Sequence, residues 1–196
     1  MGKVLRFYKP SVKIGDVYPT RYGDLRILHY FSSKEIVVEF LWSKSKRVTS
    51  ACKIKAGNVK DYFLPIVHGV GFLGNGDFIA VRGKDKDRAY SVWLCMMRRC
   101  YSAAYHKDKP TYKKCTIHSD WHNYQNFASW YYENYVEGYD LDKDLKVWGN
   151  TEYGPETCTF VSVKLNRGSA KDKHLKTDAF ILGKDYSTVE SQLVIL

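Results

Sequence analysis

Two stretches of this chain set large aromatic residues at helical spacing, and each such stripe has to be buried against something. Tyr90, Trp93, Leu94, Met97 and Tyr101 share one face of a helix expected over Arg88 to Tyr105. Tyr124, Phe127, Trp130 and Tyr131 share a face of a second helix, about Trp121 to Tyr135, behind a Ser119-Asp120 pair suited to capping. Aromatic residues make up 15% of the 196 residues, with 16 Tyr among them. Tyrosine and tryptophan supply large buried area to a small core, and they also stack on nucleic-acid bases. Both uses stay open at this level.

The first third of the chain has a different period. Gly15-Asp16 and Tyr22-Gly23-Asp24 are turn signals, and between turns Leu25, Ile27 and His29 alternate with Arg26 and Leu28. Ser32-Ser33-Lys34 is the next turn, and Ile36 to Leu41 is a β-branched run. Val48 to Ile54 reads as a third strand, closed by Gly57-Asn58. Short strands with tight turns predict a small SH3-like barrel or curled sheet over residues 1–68. Gly69-Val70-Gly71 and Gly74-Asn75-Gly76 mark a loop and hairpin that open a second region, residues 69–166. Near its end Gly149-Asn150 is a turn and Thr159-Phe160-Val161 a return strand, and residues 167–196 form a tail. The expected fold class is α+β.

A net charge of +10 and a pI near 9.3 point to a polyanionic partner. With no long apolar run in the chain, no membrane partner is expected. Five cysteines without a CxxC pair read as reduced thiols. The charge is uneven. From Arg82 to Lys114 ten Lys and Arg oppose three Asp, a net of +7; from Glu133 to Glu156 seven Asp and Glu oppose two Lys, a net of −5. A basic surface beside an acidic pocket is what a metal-dependent nuclease needs, one to hold phosphates and one to hold a cation. Two unrelated solvated faces give the same tally.

Residues 88 to 166 carry a more specific pattern. It runs Tyr90-x-x-Trp93-x-x-Met96-x-x-Arg99-Cys100-Tyr101, then Lys114-Cys115-Thr116-Ile117-His118-x-x-Trp121, with Phe127 and Trp130 following. Leu141-Asp142-Lys143-Asp144 comes next, and Tyr153-x-Pro155-Glu156-Thr157-Cys158 closes it. In order and spacing this resembles the HNH endonucleases of tailed bacteriophages. The β module also resembles the N-terminal segment that some of those proteins carry. Many relatives end in a three-stranded DNA-binding module of the plant ethylene-response type, for which the tail here is too short.

The resemblance implies a ββα-metal core with flanking helices, built around one Mg2+ or Mn2+ ion and acting on double-stranded DNA in the cytoplasm of a bacterial host. It places Asp142 as metal ligand and Asn166 on the closing helix, with Asn150 in the loop-steadying role. The position that carries the water-activating histidine in such enzymes is Lys143, and Thr157 stands where the pattern has an asparagine. Catalysis is thus assigned to Asp142, Lys143 and Asn166. Arg98, Arg99, Lys113, Lys114 and Arg167 are the candidates for phosphate contact. Cys100, His118 and Cys158 fall where relatives often have three cysteines, with Cys115 nearby, so a structural Zn2+ set is a minor alternative. His106 and His122 are isolated histidines. Two further readings stand beside the nuclease: a catalytically degenerate DNA-binding protein on the same scaffold, and a protein that meets a host protein through its aromatic surface.

Overall fold

The structure is a computed structural model, and it describes residues 12–147 and 149–166. The tail 167–196, and Arg167 with it, lies outside the described residues. The fold is mixed α+β, and the chain divides into two compact units between Leu64 and Pro65.

The first unit is an antiparallel sheet in the order β1 (Val17–Tyr18), β2 (Leu25–Ser32), β3 (Glu35–Phe40), β4 (Lys46–Thr49). Alternation dictates which face is buried. In β3, Ile36, Val38 and Phe40 point inward and Glu35, Val37 and Glu39 outward. The inward set meets Val12, Leu25, Ile27, Ala51, Ile54 and Val59 in one apolar cluster. Edge strands β1 and β4 do not pair with each other, so among the described residues the sheet is open and no barrel closes.

The expected third strand, Val48 to Ile54, is only half a strand. The ladder stops at Thr49 and α1 (Ala51–Lys55) begins. Ala51 and Ile54, three residues apart, both drop onto the core, a spacing that a helix satisfies and a strand does not. Gly57-Asn58 is the helix stop rather than a strand stop. Gly57 takes φ 61°, its N–H donates to Ile54 O at 2.9 Å, and the Asn58 N–H donates to Lys53 O at 2.9 Å. That pair of bonds is a Schellman closure.

The second unit is built on two helices. A short hairpin, β5 (Val81–Arg82) with β6 (Asp85–Lys86), leads into α2 (Arg88–Tyr101). The hairpin thus falls after the Gly74-Asn75-Gly76 segment. That segment is a loop, which Gln125 holds by accepting the Phe78 N–H and donating to Leu73 O and Phe78 O. The expected single helix to Tyr105 breaks at Ser102, whose extended backbone ends α2 and whose Oγ caps α3 (Ala103–Asp108). A 3-10 turn (Pro110–Lys114), β7 (Thr116–Ile117) and a second 3-10 turn (Ser119–His122) follow. The next helix, α4 (Tyr124–Asn134), is capped by Asn123, which accepts the Gln125 N–H, and not by the Ser119-Asp120 pair. The unit closes with β8 (Tyr139–Asp142), β9 (Glu152–Tyr153), β10 (Thr159–Ser162) and α5 (Val163–Asn166).

The expected aromatic stripes are the core. Trp93 and Met97 of α2 meet Tyr124, Phe127 and Tyr131 of α4, all essentially without exposure, and Tyr90, Leu94, Tyr101 and Trp130 pack around them. The buried Trp93 indole is not left with an unmet donor, because Nε1 donates to Trp121 O at 2.7 Å. Gly71 makes room for that ring: a Cβ there would lie 2.8 Å from the indole.

Asp87 ties the two helices together at one end. Its Oδ1 accepts the Tyr90 N–H at 3.3 Å, capping α2, and the Tyr124 phenol at 3.1 Å; its Oδ2 accepts the Tyr132 phenol at 2.5 Å. Burial, then the Asp87 hydrogen bond, pushes the Tyr132 phenol up to about 12, so it remains a donor at neutral pH. Asp87→Ala removes a cap, typically worth about 1 kcal/mol. It also leaves the buried Tyr124 hydroxyl without its acceptor, costing about 1–3 kcal/mol. Urea unfolding should show a loss of roughly 2–3 kcal/mol for Asp87→Ala; a loss within about 0.5 kcal/mol would show that Asp87 does not join the helices.

Candidate functional site

The second half of this unit follows a strand–loop–strand–helix order. Strand β8 ends at Asp142, and a long loop returns the chain to β10, which pairs antiparallel with β8. Thr159 lies opposite Asp142 and Phe160 opposite Leu141. Helix α5 follows β10 directly and reaches Asn166, whose Nδ2 donates to Asp140 Oδ2 at 3.4 Å. Asp142 and Asn166, 24 positions apart in sequence, thereby line one cavity of about 420 Å3.

Arg99, Tyr112, Cys115, Lys143, Asp144 and Tyr153 line it too. A strand pairing and a helix end bring them there. The parallel pairing of β7 with β9 lays Ile117 beside Tyr153. Arg99 sits in the last turn of α2 and is half-buried, while its neighbour Arg98 is exposed. Of the five expected phosphate contacts, then, Arg99 turns into the cavity. Arg98, Lys113 and Lys114 are exposed and do not line it.

Asn150 braces the loop. Its Nδ2 donates to Lys143 O at 2.8 Å and to Glu152 O at 2.6 Å, and its Oδ1 accepts the Glu152 N–H at 3.1 Å. Thr157 adds a bond from its Oγ1 to Glu152 O at 2.8 Å. Asp142 turns the chain at the strand end, where Oδ1 accepts the Asp144 and Leu145 N–H groups, each at 2.7 Å. Lys143 reaches back inward. Its Nζ donates to Asp144 Oδ1 at 2.5 Å and to Asn150 O at 2.8 Å, with its side chain only 11% exposed.

Burial raises several acidic side chains in and beside the lining. Burial pushes the Tyr153 phenol well above its ordinary value, against the pull of the Arg99 guanidinium that hydrogen-bonds it. Burial pushes the Cys100 and Cys158 thiols up to about 12, and raises Cys115 as well. Among the described residues no group of three or more His, Cys, Asp or Glu is disposed to hold a metal ion, and Cys100, Cys115, His118 and Cys158 form no such group. His118 turns to Asp120, with Nδ1 3.8 Å from its carboxylate. For a hard cation the cavity offers the Asp142 carboxylate and the Asn166 carboxamide oxygen. Mg2+ is commonly held by one or two such protein oxygens with water completing its shell, so these residues fit it.

Among the described residues, no imidazole lines the cavity. His106 Nε2 bonds Arg99 O at 2.8 Å, which steadies the end of α2. His122 Nε2 lies 3.1 Å from Ile117 O and 3.2 Å from the Tyr101 hydroxyl. Tyr112, Tyr153 and Asp144 are lining residues to which sequence reasoning gave no role. Tyr153 and Asp144 stand inside the recognised pattern, so position was legible there and function was not. No helix among the described residues is long and apolar enough to cross a membrane. Compared with protein-family models, curated proteins and solved structures, the chain matches none.

Two outcomes check this geometry. Asn150→Ala strips three hydrogen bonds, each worth about 1 kcal/mol net, and should lower unfolding stability by about 2 kcal/mol; stability equal to wild type would remove Asn150 as the brace. His122 is the pH-sensitive group. Burial, partly offset by the Ile117 carbonyl, depresses it below the ordinary 6.5, so the folded state favours the neutral ring. Its contribution is complete above the ordinary value and lost as pH falls through the depressed one. The urea midpoint should therefore drop more between pH 7.5 and 5.5 for wild type than for His122→Gln, and parallel drops would refute the assignment.

Proposed function

We propose that the second unit is a DNA phosphodiesterase of the HNH, or ββα-metal, type, acting on duplex DNA during phage infection of a bacterial host. The observation that carries this reading is the convergence of Asp142, Lys143, Asn166 and Arg99 on one polar cavity at the end of a β–β–α arrangement.

In this reading Asp142 and Asn166 hold one Mg2+ or Mn2+ ion. When bound, the ion polarises the phosphate and stabilises the departing oxygen. The chain's own groups do the rest. Arg99 grips the phosphate with a planar fork of donors, pre-set by Tyr153 beside its guanidinium and by Tyr112, whose ring centroid lies 5.8 Å from its Cζ. Lys143 supplies a second positive charge to the phosphate while bonded to Asp144 and Asn150. Asn150 keeps the loop shape that holds Lys143 and Asp142 apart at the rim.

One observation favours the second reading, a degenerate binder on the same scaffold. Among the described residues the lining includes no imidazole to take a proton from water, and Lys143 is committed as a donor. The same Arg99–Lys143 pair would then grip a DNA phosphate without cutting it.

Supercoiled plasmid incubated with Mg2+ or Mn2+ separates the two. Under the nuclease reading wild type nicks it, and Asp142→Ala is slower by more than about 100-fold, beyond the loss usual for an outer-shell partner. If neither protein nicks DNA while both bind it equally, the nuclease reading falls and the binding reading stands. If neither binds DNA, both fall.

A further inference from the structure

The first 64 residues hold 13 of the 31 Lys and Arg but only 5 of the 21 Asp and Glu, a net of +8 against +2 for the remainder. Within the described residues the excess also lies with the sheet unit: residues 12–64 hold 10 Lys and Arg against 5 Asp and Glu, a net of +5, and residues 65–166 hold 13 against 12, a net of +1. Such a surplus favours an anionic partner.

One end of the sheet combines this charge with exposed rings. Trp42, in the turn between β3 and β4, is 65% exposed. Its turn is braced. The Phe40 N–H donates to Ser45 O at 2.9 Å, the Lys44 N–H donates to Phe40 O at 3.0 Å, and Lys44 accepts a left-handed φ of 59°. Ser45 Oγ donates at 3.0 Å to Oδ1 of Asp61, a carboxylate only 3% exposed, and the same oxygen accepts the Phe63 N–H at 2.9 Å. That buried acid joins the Trp42 turn to the Lys60–Phe63 segment. Arg47 joins them again, with Nη1 donating to Lys60 O at 2.6 Å and Cζ 4.1 Å from the centroid of the Tyr62 ring. The end so formed presents Trp42 and Phe63 with Lys44, Lys46 and Lys60, against Glu39 opposite Lys46.

We propose that this end of the first unit binds single-stranded nucleic acid, with Trp42 stacking on an unpaired base and Lys44 and Lys46 following the backbone. Interleaved rings and cations are the combination such binding uses: the rings take base faces and the cations take phosphates. A duplex hides its base faces, so an exposed indole on a fixed turn matches an unpaired strand better. An indole with two-thirds of its surface in water adds little to the core, so its removal tests binding and not folding.

The test uses the full chain and follows fluorescence anisotropy of a labelled oligo-dT strand and of a duplex of equal length, at two salt concentrations. Trp42→Ala should weaken oligo-dT binding by about tenfold, as loss of one base–aromatic stack does, with the salt slope kept. Trp42→Phe should recover most of that loss. Lys44→Glu with Lys46→Glu should weaken binding and flatten the salt slope. Duplex binding should barely respond to Trp42→Ala. Unchanged oligo-dT binding by a folded Trp42→Ala protein, checked by circular dichroism, overturns the proposal. So does an equal loss on strand and duplex, or binding of anionic vesicles but not of oligo-dT. Binding is read without divalent metal, so this outcome is independent of whether the second unit cuts DNA.

Discussion

Phe160 seated against α4 is the contact on which the second unit depends. Its ring lies 5.6 Å from Trp130, 5.3 Å from Tyr131 and 5.4 Å from Tyr135, one stacked and two edge-on. Each such pair is worth about 0.5–1.5 kcal/mol beyond its buried area. The consequence is directional. Strand side chains alternate faces, so fixing the Phe160 ring fixes the face of β10 and, through the pairing of Phe160 with Leu141, the face of β8. Asp142, one residue on, then has no choice about where it stands. Helix α4 is itself held by α2, through the packing of Trp93 on Tyr124 and through Asp87 at the end. Arg99 rides the far end of α2, eleven residues and so about 17 Å from Arg88. The cavity is therefore assembled by ring packing in which its own Tyr153, Tyr112 and Leu141 take part.

Charge inside that cavity is arranged rather than accumulated. Lys143 and Asp144 form an ion pair with side chains 11% and 26% exposed, a placement that costs desolvation unless further hydrogen bonds satisfy it. Asn150 answers that need from both sides: its backbone oxygen accepts the ammonium, and its side chain holds the carbonyls of Lys143 and Glu152. Asp142 meanwhile spends one oxygen on two backbone N–H groups. The acidic stretch noted in the sequence is in large part a loop bracing itself, with a few oxygens turned to the cavity. Histidines behave likewise. His106 and His122 bond backbone carbonyls, and each fixes a chain segment beside the cavity without lining it.

Much of the fold was legible because helical periodicity is local. The stripes Tyr90–Tyr101 and Tyr124–Tyr131 became the core, and the return strand at Thr159 became β10. Where reading failed, a local signal had two solutions. Gly57-Asn58 ends a strand or a helix equally well in sequence, and the core contact of Ala51 and Ile54 selected the helix. Ser102 is an ordinary helix residue by propensity, and it became a break because it caps α3. For the site, the residue order singles out Asp142, Lys143, Asn166 and Asn150, and the structure brings the first three to one cavity, with Asn150 bracing its loop. Tyr112 and Thr111 carried no signal, because a residue that lines a cavity from a distant turn looks like any surface residue.

The sequence alone determined the element types, the two aromatic faces, the polar inventory of the loop after Asp142 and the +10 charge. All of these are set by residues within a few positions of one another or by simple count. Tertiary structure alone decided which cations enter the cavity. Arg98 and Arg99 are adjacent, and one residue's rotation about the helix axis separates a solvent-facing guanidinium from one that meets Tyr153. It also decided that Trp42 and Phe63 share one end of the first unit, because a single buried carboxylate, Asp61, draws together two segments that local pattern cannot relate.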